Sequence, residues 1–228
     1  MRHSPAYIID DPDVVRRLIR ENPWATFVSM TPDGLTASHY PILLEEDAEG
    51  ISIVSHFGRP DDETHRLGTQ EVLVIVQGPH GYISPSWYDG AGFIPTWDHV
   101  TAHLYGVPEL LSPEENFAVL SRLVDHFEQQ VPSPCSLSQD VATARRVATG
   151  TTGLRLRVTR FDARLKLSQD KPEAVQDRVL YELEQGTGHP YRNPALAREL
   201  RLTSPSLTGT MSERAGETGV APGDRQSD

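Results

Sequence analysis

Cysteine is almost missing from this chain: its 228 residues include one, Cys135, in the Pro/Ser stretch Val131–Ser138. A single thiol excludes a disulfide framework within the chain. Long apolar runs are missing too. None approaches the roughly 20 residues that a membrane-spanning helix needs, and no apolar segment precedes the acidic stretch Asp10–Asp13, so no secretory leader is expected. Positive charge is in deficit, with 21 Lys and Arg against 32 Asp and Glu, a net −11. Residues 203–228 carry only −2 of this, so the body holds −9. An acidic body is a poor match for unaided DNA binding, which leaves a basic footprint. HExxH and paired CxxC spacings are also missing, which argues against a mononuclear zinc site despite nine histidines. No internal repeat is found. The expectation is a soluble, cytoplasmic protein without membrane or nucleic-acid partners. At 37% hydrophobic residues the chain can build one real core.

What is present reads mainly as strand. Asp11-Pro12 marks a helix start, with Val14, Val15, Leu18 and Ile19 as its apolar stripe. Trp24–Met30 and Leu35–Leu44 flank the turn Thr31-Pro32-Asp33-Gly34 and predict a hairpin. Ile51–Ser55 is a third strand. Val100–Leu111 is a long strand interrupted at Gly106 and Pro108. Ser112-Pro113-Glu114-Glu115 is a capping box opening a helix whose apolar face reads Phe117, Leu120, Val124, Phe127 and Val131. A short helix is expected over Gln139–Ala148. Leu154–Arg160 alternates apolar and polar residues as a half-exposed strand, with Arg155 and Arg157 outward. Asp170 and Pro172 open a last long helix, and Pro190–Leu202 accommodates one short helix. This divides the chain into a barrel domain at 1–186, a helical extension at 187–202 and a disordered tail at 203–228.

The organising stretch is Glu71–Tyr88, EVLVIVQGPHGYISPSWY. Val72–Val76 predicts a strand buried on both faces. Gln77-Gly78-Pro79 is expected to break it, and Tyr82–Ser84 to resume it. Pro85-Ser86-Trp87-Tyr88 then offers aromatics and hydroxyls, either as a plain core hairpin or as a wall for a flat conjugated ligand. A Gly-rich loop follows at Asp89–Gly92.

The motifs QGPHGYISPSWY, IPTWDHVTAHLYG at Ile94–Gly106 and LKLSQDKP at Leu165–Pro172 resemble the PaiB family in the same order, over about Tyr7 to Leu183. The resemblance implies a mainly β, α+β fold: an FMN-binding split β-barrel with peripheral helices that forms a homodimer. A haem-carrying subgroup of the family is similar to piperazate synthase. Two departures from the family pattern point toward that subgroup. His56-Phe57-Gly58-Arg59 keeps the family's His and Arg, but Asp61-Asp62-Glu63-Thr64-His65 replaces its Asn-Pro-x-Trp. Asp98-His99 replaces the usual Asn-Tyr. Both changes add ionisable groups.

The resemblance to that subgroup implies haem b, with His65 as axial iron ligand, oriented through Asp62 or Glu63. His56 is an alternative ligand and Cys135 a weaker one. His99 and His103 lie four apart, which in a strand is about 13 Å, too far to share a metal. The implied reaction closes N5-hydroxy-L-ornithine to L-piperazic acid with loss of water. It needs a Lewis-acid iron, a base for the attacking amine, with Lys166 and Lys171 as candidates, and a cation for the substrate carboxylate, with Arg59 and Arg157 as candidates. The alternative cofactor is FMN, in an FMN-binding regulator or a flavin-dependent reductase. Its phosphate would meet Arg59, Lys166, Ser84 and Ser86, with Trp87 in the aromatic wall. A third class is a non-catalytic haem or flavin carrier.

Overall fold

A computed structural model describes residues 4–88 and 94–204. The Gly-rich loop expected at Asp89–Gly92 and the tail from residue 205 onward lie outside the described residues. The elements are β1 (Ile8–Ile9), α1 (Pro12–Glu21), β2 (Trp24–Thr31), β3 (Gly34–Leu44), β4 (Ser52–Gly58), α2 (Asp61–Thr64), β5 (Val72–Ile83), β6 (Thr96–Gly106), β7 (Glu109–Leu110), α3 (Pro113–Glu128), α4 (Val141–Ala148), β8 (Thr151–Arg157), β9 (Arg160–Lys166), α5 (Glu173–Gln185) and α6 (Pro194–Thr203). The strands form a sheet in the order β1-β9-β6-β5-β2-β3-β4-β8-β7. None of the described helices is long and apolar enough to cross a membrane.

The chain divides into two compact units. Met1–Gly78 with Val100–Leu165 form one, and Pro79–His99 with Lys166–Asp228 the other. In the first unit, β2 and β3 pair antiparallel from Trp24↔Pro41 to Thr31↔Gly34. Gly34 takes φ +111° in that turn, a conformation only glycine adopts without strain. β4 pairs with β8 from Ser52↔Arg157 to Gly58↔Thr151. Phe27, Ile42, Ile53, Phe57, Leu154 and Leu156 are fully buried between these strands, each worth about 1.5–3 kcal/mol of burial. Phe27 and Phe57 meet edge to face at 5.0 Å. α1 begins as expected, with the Asp11 carboxylate accepting from the Asp13 amide and Pro12 in the first turn, and it buries Val15, Leu18 and Ile19.

In the second unit, α5 buries Val175, Val179, Leu180 and Leu183, while α6 buries Leu196, Ala197 and Leu200. A fork from Arg201 to Glu184, at 2.8 and 2.9 Å, ties the two helices. Gly81 lies close beneath α6, where a Cβ would approach Leu196 Cδ2 to 3.1 Å and the leucine would have to give by a few tenths of an ångström.

Three local expectations change. β5 is not buried on both faces: Val72, Val74 and Val76 are buried and the residues between them are half-buried. Nor does Gly78-Pro79 break it. The β2 pairing ends at Ala25↔Val76, so no β2 carbonyl calls on the missing N–H of Pro79. Gly78 fits because Leu18 presses against it, leaving 2.6 Å to any added Cβ. The third difference is in α3. Its capping box forms as read, with Ser112 and Glu115 exchanging bonds. The buried stripe, however, is Asn116, Val119 and Leu123, while Phe127 stays exposed. The Asn116 amide turns inward to reach Thr151 and Ala148, and this sets the rotation of the helix.

Candidate functional site

The end of β4 carries two of the expected site residues, His56 and Arg59. Pairing of His56↔Gly153, Phe57↔Thr152 and Gly58↔Thr151 brings the start of β8 beside them. α3 and α4 close over this corner and leave a cavity of about 570 Å³, lined by Arg59, Asn116, Arg145, Thr149, Thr151 and Thr152 among its polar residues. Leu111, Phe117 and Ala148 supply an apolar wall. The volume suits a small organic ligand.

The threonine hydroxyls are already committed as donors. Thr149 donates to Arg146 O at 2.7 Å, Thr151 to Ala148 O at 2.8 Å, and Thr152 to Asp62 Oδ2 at 2.5 Å. The Asn116 amide spends its N–H groups on Thr151 and Ala148. Arginine is therefore the donor set an anion in this cavity would meet. The Arg59 guanidinium makes no hydrogen bond or ion pair among the described residues. Arg145 is held by Glu114 through a fork of 2.7 and 2.8 Å, with its guanidinium 4.4 Å over Phe117. Buried polar atoms nearby without a partner include Asn116 Oδ1, Asp62 Oδ1 and, on the adjoining strand, His56 Nδ1. Burial pushes the His56 pKa down, so its neutral form is favoured.

His65 lies in the core of the same unit and is fully buried. Its Nδ1 bonds Ser29 Oγ at 2.9 Å and its Nε2 bonds Ser38 Oγ at 2.9 Å. Phe57 packs edge-on at 5.1 Å. Burial lowers the imidazole pKa, and Asp61, 3.9 Å from Nε2, opposes the shift. An axial iron ligand needs one ring nitrogen open to a cavity. Both nitrogens of His65 are engaged within the β2–β3 hairpin, so this arrangement does not fit haem ligation. Of the two expected orienting carboxylates, Asp62 accepts from Thr152, and among the described residues neither it nor Glu63 bonds the imidazole, whose partners are Ser29 and Ser38. Cys135 is exposed.

Arg157 stands apart from Arg59. The β4–β8 register separates Ser52↔Arg157 from Gly58↔Thr151 by six residues, about 20 Å at strand rise. Arg157 binds Glu109 at 2.6 Å and lines a different groove, where Glu45, Glu46 and Asp47 face Arg122 and Arg155. The two arginines therefore do not converge on one carboxylate. His99 and His103 both lie in β6, as expected.

The second unit holds Ser84, Trp87, Lys166 and Lys171. Ser84 Oγ accepts from the Ser86 amide and caps a single helical turn. Trp87 is buried and packs on His189 at 5.1 Å. Lys166 Nζ reaches Thr96 Oγ1, Trp97 O and Asp98 Oδ1. Three acceptors match the three N–H donors of an ammonium, an arrangement that holds Lys166 in place. Asp98 is almost fully buried and also accepts from Ser168 Oγ at 2.7 Å. Burial raises its pKa, offset by Ser168 and Lys166. The family-pattern departure at Asp98 is thus a buried partner for the lysine motif. Lys171 pairs with Asp170 at 3.0 Å.

Sequence reasoning missed Asn116, Arg145 and the Thr149–Thr152 run. Asn116 had a visible signal: with Val119 and Leu123 it makes an i, i+3, i+7 row, and a polar residue in such a row must bond across the core. Nothing in the sequence marks Arg145 as lining the same cavity as Arg59.

Comparison with known proteins gives this geometry a family. The model of a family described as "Putative FMN-binding domain" matches residues 1–160. The Protease synthase and sporulation protein PAI 2 of Bacillus subtilis is 28% identical over 188 residues, covering 80% of this chain and 89% of that protein. Two solved structures share the fold: the FAD and haem binding protein of Mycobacterium smegmatis, at 16% identity, TM-score 0.52, covering 70% of this chain and 73% of that one, and the flavocytochrome Anf3 of Azotobacter vinelandii, at 13%, TM-score 0.52, covering 72% of each. The fold is the mainly β split-barrel class, as the PaiB resemblance implied, and the chain belongs to the family of FMN-binding domains that the matching model describes.

Proposed function

We propose that this chain is an FMN-binding flavoprotein whose cofactor phosphate sits against Arg59 in the cavity between β4, β8, α3 and α4, and that it acts as a flavin-dependent reductase. Arg59 carries the reading. It keeps the arginine of the family motif, lines a cavity of suitable volume, and offers guanidinium donors that no described residue occupies. A phosphate is an acceptor-only ligand, and arginine is the side chain suited to hold it. When bound, FMN supplies reversible one- and two-electron chemistry, while the chain supplies binding and orientation. The net charge of −11 favours this over an FMN-responsive DNA regulator. A homodimer belongs to the same reading, with exposed Trp24, Met30 and Leu35 of the β2–β3 hairpin as a surface for it.

The haem-dependent cyclase reading has less support. It asks for an axial imidazole, and His65 already spends both nitrogens on Ser29 and Ser38. It also asks for a lysine base, and Lys166 is held by three oxygens. The test is the visible spectrum of the purified chain with FMN titrated in. Saturable quenching of flavin fluorescence, weakened at least tenfold by Arg59→Ala, supports the proposal. A Soret band with no flavin affinity would refute it and restore the cyclase.

A further inference from the structure

The FMN pocket contains a second cation that is held elsewhere. Arg145 lines the cavity with Arg59, yet its fork points at Glu114, at 2.7 and 2.8 Å. Both partners are surface groups, with side chains 47% and 75% exposed. An exposed ion pair of this kind is weak, and water can replace either partner. Phe117 lies under the guanidinium at 4.4 Å and is itself a wall of the cavity, so Arg145 has a flat surface to move across without losing its cation–π contact. Glu114 lies in the first turn of α3, where the helix macrodipole favours its carboxylate once the arginine leaves. Threonines and Asn116 have no donor to spare, so one arginine alone would face a phosphate of nearly two negative charges.

We infer that Arg145 is a specificity-determining residue of this site: Glu114 competes with the ligand phosphate for its guanidinium, and transfer of Arg145 from carboxylate to phosphate selects a phosphorylated flavin over an unphosphorylated one. This rests on the FMN reading above. Glu114 acts only through Arg145 and is a competitor, not a ligand.

The experiment measures affinities of the full chain for FMN and for riboflavin, which lacks the phosphate, by flavin fluorescence, for wild type, Glu114→Gln, Arg145→Gln, the double variant and Arg59→Ala. Expected results are these. Arg145→Gln weakens FMN binding roughly tenfold, the scale of a lost charge-assisted bond. Glu114→Gln tightens it by up to about fivefold, the scale of a released surface pair. The double variant matches Arg145→Gln alone, and riboflavin binding changes less than about twofold throughout. If Arg59→Ala weakens FMN but Arg145→Gln does not, the inference falls while the FMN site stands. If Glu114→Gln weakens FMN as Arg145→Gln does, the pair holds Arg145 in place and the competition is refuted. If wild type binds no FMN, or holds it no better than riboflavin and indifferent to Arg59→Ala, both the site and the inference fall.

Discussion

Replacing His65 by alanine separates a core histidine from a ligand histidine. The imidazole is fully buried, and it links β2 to β3 through Ser29 and Ser38 from the residue that ends α2. Removing it deletes two hydrogen bonds, worth about 1 kcal/mol each. It also leaves Ser29, which is 2% exposed, without its partner, and opens a cavity against Phe57. Large-to-small core changes cost about 2–5 kcal/mol in all. A loss of about 4 kcal/mol is therefore expected, which lowers Tm by roughly 8–16 °C for a domain of this size. The assay is thermal unfolding followed by circular dichroism, beside flavin titration of the variant below its transition. FMN binding is expected to survive in the folded fraction, since His65 does not line the Arg59 cavity. A Tm change under about 2 °C together with loss of a bound chromophore would refute the reasoning and make His65 a ligand.

Two further outcomes follow from the same geometry. Gly153→Ala should destabilise by about 1–3 kcal/mol through overpacking, because the new Cβ would meet Asn116 at Oδ1 (2.7 Å), Cβ (2.9 Å) and backbone Cα (3.0 Å). It should weaken FMN binding with it, and a variant with the wild-type urea midpoint and the wild-type affinity in a flavin titration would contradict the packing described. Stability should fall as pH drops below about 6.5, the unfolded histidine value. Burial lowers the folded pKa of His56, His65 and His103, so the unfolded chain takes up protons that the folded one refuses. Buried Asp98, whose pKa is raised, acts in the opposite sense, its contribution falling as pH rises from about 3.9. Denaturant midpoints that rise between pH 7 and 5.5 would contradict the histidine argument.

Much of the order of strands and helices was legible because it rests on local chemistry, although β9 (Arg160–Lys166) was not read as a strand. Asp11-Pro12 and Ser112-Pro113 start helices through their own side chains, Gly34 closes a hairpin through its own φ, and the alternation at Leu154–Arg160 declares a half-exposed strand, which the structure runs over Thr151–Arg157. The family motifs gave the fold. Arg59 and His56 stood out in the sequence as residues retained from a motif, and the cavity beside Arg59 is a feature of the tertiary structure. The meaning of His65 was not. The sequence shows an imidazole where an aromatic usually stands, but whether its nitrogens face a cavity or two serines depends on Ser29 and Ser38, 36 and 27 residues away. Likewise the lining of one cavity by Arg145 and Arg59, and the separation of Arg157 from Arg59, follow from strand register and helix rotation. Those are fixed by non-local pairing and by the Asn116 bond to Thr151, which no periodicity records.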